Sequence, residues 1–270
     1  MGGKIGNEHE VSGIGKPVGH PPSGILLRPT PKRVRVFFGG EAVADSMRVQ
    51  LMYSSKSTPD YYFPREDVRE DFLEATDHTT ECPDRGEARY WSVAAGGGTA
   101  ENAVWRYHDP PEDIPDISGL FSFDWDSMDA WFEEEEEVFV HPKDPHHRID
   151  VLESSRHVEI RVGTTPIAES RRPVLLFETG LPVRYYLPKL EVRLELLEAR
   201  ETETACPYKG VTSAYWGSGE LGEDDRDLAW CYERPLPEVW RIAGRIAFFN
   251  ERVDLFVDGE LQERPRTAWS

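Results

Sequence analysis

Much of this chain is written twice, and that duplication constrains its fold more than any single motif. Tyr61-Tyr62-Phe63-Pro64 returns 124 positions later as Tyr185-Tyr186-Leu187-Pro188, and Cys82-Pro83-Asp84-Arg85-Gly86 returns as Cys206-Pro207-Tyr208-Lys209-Gly210. Tyr90-Trp91, Trp105, Tyr107, Pro110, Ile117 and Gly119 then recur at Tyr215-Trp216, Trp230, Tyr232, Pro235, Ile242 and Gly244, where the offset is 125. One residue inserted between Gly210 and Tyr215 accounts for the change, so the match is colinear. The period is far longer than the ~20–50 residues of a solenoid unit, and each copy has enough apolar positions for its own core. The expectation is two similar folded domains: a flexible Gly/Pro-rich arm over 1–30, a first repeat over 31–140, a linker over 141–155, a second repeat over 156–263 and a tail over 264–270.

The local pattern is mainly β. Val34, Val36 and Phe38 alternate up to Gly39-Gly40, and Val158, Ile160 and Val162 do so up to Gly163, each as a strand entering a hairpin turn. Val253, Leu255 and Val257 alternate up to Asp258-Gly259, after a strand holding Ile246 and Phe248. Val192, Leu194 and Leu196 alternate too, which predicts another strand, while Pro64 and Pro188 suit the first turn of a short helix. The fold class read from this is two tandem compact β domains, each with at most a short helix.

Fifty acidic against 31 basic residues give a net charge of −19, which repels phosphate backbones and anionic membrane surfaces. Neither nucleic acid nor membrane is an expected partner. No apolar run approaches the ~18 residues of a membrane span, and MGGKIGNEHE has no hydrophobic leader core, so a cytoplasmic protein is expected. The three cysteines form no CxxC pair, and free thiols are the expectation. Gly13-Ile14-Gly15-Lys16-Pro17 lacks the preceding strand of a dinucleotide loop. His141, His146, His147 and Asp150 sit among prolines and mixed charges that suit an ordered linker better than a metal site. No cofactor and no metal are expected.

The chemistry-bearing candidate is the Cys-Pro-x-Lys/Arg-Gly segment, because a cation three residues after a cysteine can lower its pKa and glycine permits a tight presenting turn. Cys206 is then a nucleophile candidate and Lys209 the group stabilising it, with Glu191 just upstream as an acid or base. The bland alternative is a small buried cysteine in a turn, with Lys209 as a surface charge and Glu191 as a helix-starting carboxylate. Tyr186, Tyr208, Trp216, Trp230 and Tyr232 are candidates for the walls of a pocket for a planar or cationic small molecule, against the alternative of core packing. Asp124-Trp125-Asp126 could hold Mg²⁺ for nucleotidyl transfer, but Gly96-Gly97-Gly98 lacks the Lys-Ser/Thr of a phosphate loop and the second repeat has Phe249-Asn250 instead of the acidic pair.

Ala168-Glu169-Ser170, LLFETGLP at 175–182, RYYLP at 184–188, CPYKG at 206–210, Tyr215-Trp216 and IAGRIAFFNERVDLFVDGE at 242–260 resemble the family known as domain of unknown function 427, also labelled nucleotidyltransferase-like. ADS at 44–46, YYFP at 61–64, Gly86-Glu87-Ala88 and Tyr90-Trp91 carry the resemblance in the first repeat. It implies a compact domain of the β-tent kind, as in methionine-R-sulfoxide reductases and the ligand-binding domain of cereblon, and no particular reaction. The second repeat keeps the family's Tyr208-Lys209 where the first has Asp84-Arg85, so the second is the expected place for a working site. The functional expectation is a small-molecule pocket there, for binding alone or for catalysis. A noncatalytic scaffold of unknown oligomeric state and metal-dependent nucleotidyl transfer are the alternatives.

Overall fold

A computed structural model describes residues 24–54, 58–221 and 226–270. The described part divides into two units that meet at His146 and His147. Most of the predicted arm, including Gly13 to Pro17, lies outside the described residues.

The first unit contains β1 (Leu26–Pro29), β2 (Val34–Phe38), β3 (Glu41–Ser46), β4 (Gln50–Tyr53), β5 (Asp60–Pro64), β6 (Leu73–Cys82), β7 (Gly86–Ala95), β8 (Gly98–Tyr107), β9 (Leu120–Phe123), β10 (Ala130–Glu133) and β11 (Glu136–Glu137). They form an open seven-stranded sheet, β1-β4-β5-β9-β8-β7-β6, and a four-stranded sheet, β11-β10-β2-β3.

The second unit contains β12 (Ile149–Glu153), β13 (Val158–Val162), β14 (Thr165–Ser170), β15 (Val174–Glu178), β16 (Arg184–Pro188), β17 (Glu198–Arg200), β18 (Ala205–Cys206), β19 (Gly210–Val211), β20 (Ala214–Gly217), β21 (Asp227–Cys231), β22 (Arg245–Phe248), β23 (Asp254–Val257) and β24 (Glu260–Leu261). Its sheets, β12-β15-β16-β22-β21-β20-β17 and β14-β13-β23-β24, repeat the first unit strand for strand, and the short β18-β19 hairpin is the counterpart of the tip of the β6-β7 hairpin. The longest helical segment in it is a short 3-10 helix, Pro237–Ile242. Among the described residues no helix is long and apolar enough to cross a membrane.

The duplicated Tyr-Tyr-x-Pro segment explains how each large sheet is buried on both faces. Side chains alternate along a strand. Tyr61 and Phe63 therefore enter one apolar cluster with Val34, Val36 and Trp131, while Tyr62 enters another with Met52, Tyr107 and Ile117. Tyr185 and Leu187 against Tyr186 divide the same way in the second unit. Each unit thus has a core between its two sheets and a second cluster on the outer face of the large sheet, the face that carries the cysteine motif.

Three local expectations are revised. The predicted strand through Val192, Leu194 and Leu196 is two 3-10 turns, Lys189–Glu191 and Leu194–Leu196, with Val192 making one bridge to Ala168. Pro188 ends β16 and opens the first of these turns, and the core receives Val192 from between the turns and Leu194 and Leu196 from the second. Pro64 does the same ahead of Arg65–Asp67, so each proline opens a short helix, of the 3-10 kind. Strand β12 lies inside the segment read as a linker, and β1 inside the end of the arm. Each is an edge strand paired on one side, and two or three apolar residues interrupted by polar ones are too brief a signal for period-2 reading.

Candidate functional site

In the first unit, Cys82 ends β6, and a turn closed by Arg85 N–H on the Cys82 carbonyl at 3.1 Å leads into β7. Gly86 has φ +84°, and a Cβ there would sit 2.8 Å from the Asp109 carbonyl oxygen, so only glycine lets the turn close. The turn folds Arg85 back so that its Nε donates to Cys82 Sγ at 3.2 Å, with the guanidinium 5.2 Å over the Tyr107 ring. Burial works against a thiolate at Cys82. Arg85 and the backbone N–H groups of Asp84 and Arg85 outweigh it and hold the thiol below its ordinary pKa.

This pair lies on a cavity of about 520 Å³. Tyr90, Trp105 and Tyr107 supply aromatic surface, and Thr80, Asn102 and Ser127 supply hydroxyl and amide groups. Asp60, Glu101 and Asp124 supply three carboxylates. Trp105 donates to the Tyr62 hydroxyl beneath at 3.4 Å, which fixes the indole. Asp124 caps the turn Trp125–Ser127, accepting from Ser127 N–H at 3.0 Å and Ser127 Oγ at 2.5 Å, both on Oδ2. The acidic tripeptide is therefore a capped turn whose Trp125 stacks on Trp131 at 4.4 Å. Among the described residues no three His, Cys, Asp or Glu side chains gather as a metal cluster.

The second unit brings most of the predicted site together, but as packing. Cys206 and Gly210 frame the same turn, and Lys209 leaves it to reach Glu178 at the end of β15, Nζ to Oε2 2.6 Å. Glu178 also meets His147 at 3.0 Å, and His147 stacks on Tyr208 with ring centroids 4.1 Å apart. Burial opposes both charges. For Glu178, Lys209 and His147 overcome it and hold the carboxyl well below its usual range. For Lys209, its electrostatic interactions with the neighbouring Cys206, Glu178 and Tyr186 overcome it and raise the ammonium above its usual value. Lys209 is thus a buried counter-ion rather than a surface charge or a group at a cavity mouth.

Tyr186 is fully buried and receives the Trp230 indole N–H at 3.2 Å, and Tyr232 packs in the same cluster. Trp216 stands apart, packed toward the other core and lining a smaller groove of about 280 Å³ with Tyr215, Arg200 and Thr212. Glu191 receives a hydrogen bond from Arg172 Nε at 2.6 Å and joins none of these residues. Its counterpart Asp67 binds Ser46 and Arg48 in the same way, so the position anchors a turn.

The histidines read against a metal site diverge: His146 bonds Arg28 and lies against Tyr53, while His147 joins Glu178.

The duplication agrees with comparison against known families, in which the family described as Domain of unknown function (DUF427) matches residues 26–134 and again 150–259. The chain is a tandem member of the DUF427 family. A search of curated proteins found no match.

Aligning the two DUF427 repeats shows why only the first is open at this point. Asp60 of the cavity corresponds to Arg184, Glu101 to Arg226 and Asp124 to Phe249. Arg184 forms a two-pronged pair with buried Glu251, both bonds 2.7 Å, and its guanidinium lies 5.6, 5.8 and 5.5 Å from the rings of Trp230, Phe249 and Trp269. Trp269 belongs to the predicted tail and is tied down by Arg252 Nε on its carbonyl at 3.0 Å. These side chains fill the region that is hollow in the first repeat. A position-by-position comparison of the repeats carried this signal. The family motif alone pointed the other way.

The thiols should therefore differ. With a small alkylating reagent at neutral pH, Cys82 is expected to react in the folded protein. Cys231, buried and with its thiol pushed up to about 11, should react only on unfolding. Arg85→Gln should slow Cys82 labelling several-fold, and mass spectrometry of each cysteine peptide measures this. Equal rates for Cys82 with and without Arg85 would rule out activation by the guanidinium.

Proposed function

We propose that this protein binds a small molecule in the cavity of its first repeat, beside Cys82 and Arg85. The observation that carries the reading is the contrast between the repeats: one fold and one cysteine turn, with a hollow of about 520 Å³ in the first and a packed Arg184-Phe249-Trp269 plug in the second. A hollow of that size, in which three aromatic side chains meet a larger set of polar and charged groups, can hold a polar or charged small molecule. Binding is the core of the proposal, and Cys82 gives the site a nucleophile if the ligand is transformed there.

The test is a fragment screen by ligand-observed NMR on the full chain, repeated on Asp60→Arg/Asp124→Phe, which places the second repeat's side chains at both positions. Fragments that bind the native protein should lose binding in the variant while circular dichroism stays unchanged. Hits of undiminished strength in the variant would place binding elsewhere and defeat the reading.

A further inference from the structure

Resting on that reading, we infer that the first-repeat cavity takes a small organic cation, an ammonium or amidinium group carried on a flat or ring-shaped body. Asp60, Glu101 and Asp124 bring three carboxylates to one hollow. The cation among the lining residues, Arg85, is turned onto Cys82 and Tyr107. The Asp124 carboxylate is held by two bonds to Ser127 that both fall on Oδ2, so its orientation is set before any ligand arrives and Oδ1 keeps its lone pairs.

Aromatic faces complete the match. Tyr90 and Trp105 both line the hollow, with ring centroids 6.2 Å apart, and the π face of an aromatic ring attracts a cation. An anion meets like charge there at Glu101 and Asp124. A bare metal ion lacks a gathered donor set among the described residues.

The second repeat adds an independent comparison. Where the open cavity has Asp60 and Glu101 the plugged repeat has Arg184 and Arg226, and the third carboxylate, Asp124, becomes Phe249. Where Arg184 occupies the plug, its guanidinium is surrounded by Trp230, Phe249 and Trp269 and paired with Glu251. The sealed repeat therefore holds, within its own chain, the aromatic-and-carboxylate contacts that a guest cation would make in the open one.

The experiment is isothermal titration of the full chain with three probes of one shape: benzylamine in its ammonium form, benzyl alcohol and benzoate. Benzylammonium should bind about tenfold or more tightly than benzyl alcohol, with benzoate weakest. In Glu101→Gln/Asp124→Asn, where the amide oxygen can still cap Ser127, that preference should fall to about threefold or less. Equal or tighter binding of benzyl alcohol or benzoate, lost in Asp60→Arg/Asp124→Phe, overturns the cation class and leaves the cavity reading intact. Benzylammonium binding that survives Asp60→Arg/Asp124→Phe places the cation elsewhere and overturns the inference. No binding of any probe defeats both.

Discussion

Glu178→Ala should cost the second repeat about 3–5 kcal/mol, because it leaves the Lys209 ammonium buried without the carboxylate that neutralises it. The side chains are 5% and 13% exposed, so little solvent is at hand to replace the lost partner. Calorimetry should show a fall in Tm on the order of 10 °C or more. Glu178→Leu/Lys209→Met, which removes both charges and keeps apolar volume, should recover most of it.

The pH dependence follows from the direction of each shift. Glu178 is lowered in the fold, so its contribution is complete above the unfolded carboxylate value of ~4.3 and is lost as pH falls toward the folded value. Lys209 is raised, so its contribution is complete below the unfolded value of ~10.4 and is lost as pH rises through the folded one. The penalty of Glu178→Ala should be flat between those limits and shrink in acid. A cost below about 1 kcal/mol at neutral pH would mean that water reaches Lys209.

Arg184→Ala should be similarly expensive, about 3–5 kcal/mol, since buried Glu251 loses both hydrogen bonds and three aromatic rings lose the cation between them. Its signature differs from that of Glu178→Ala. Trp269 is held over this guanidinium, so the variant should shift tryptophan emission to the red and raise its quenching by acrylamide before global unfolding. Unchanged emission together with a cost under about 1 kcal/mol would show that Arg184 does not hold the plug.

The duplication, the strands ending at Gly39, Gly163 and Asp258, and the alternation of Tyr61, Tyr62 and Phe63 between two cores were legible because they are local patterns with a fixed period. The partner of Lys209 was not. Glu178 sits at the end of a strand well upstream, and nothing in CPYKG records which carboxylate the fold brings to it. A cation three residues from a cysteine therefore reads the same whether it donates to the thiol, as Arg85 does through its 3.2 Å contact, or pairs with a buried acid, as Lys209 does with Glu178. Trp269 was illegible for the same reason: a tryptophan near the end of a tail carries no local sign of the cluster it closes. Glu191 and Trp216 were placed with Cys206 by nearness in sequence, and the turns and pleat carry them to other partners.

The sealed second repeat also gives the chain an internal reference for evolution after duplication. Once a packed Arg184–Glu251 pair and Trp269 stabilise one copy, selection on that copy acts through folding, and its positions are expected to vary together or not at all. In the other copy Asp60, Glu101 and Asp124 line the hollow, and Asp124 also caps the turn that holds Ser127. At equivalent positions one copy holds a packed charge pair and the other holds carboxylates on an open hollow.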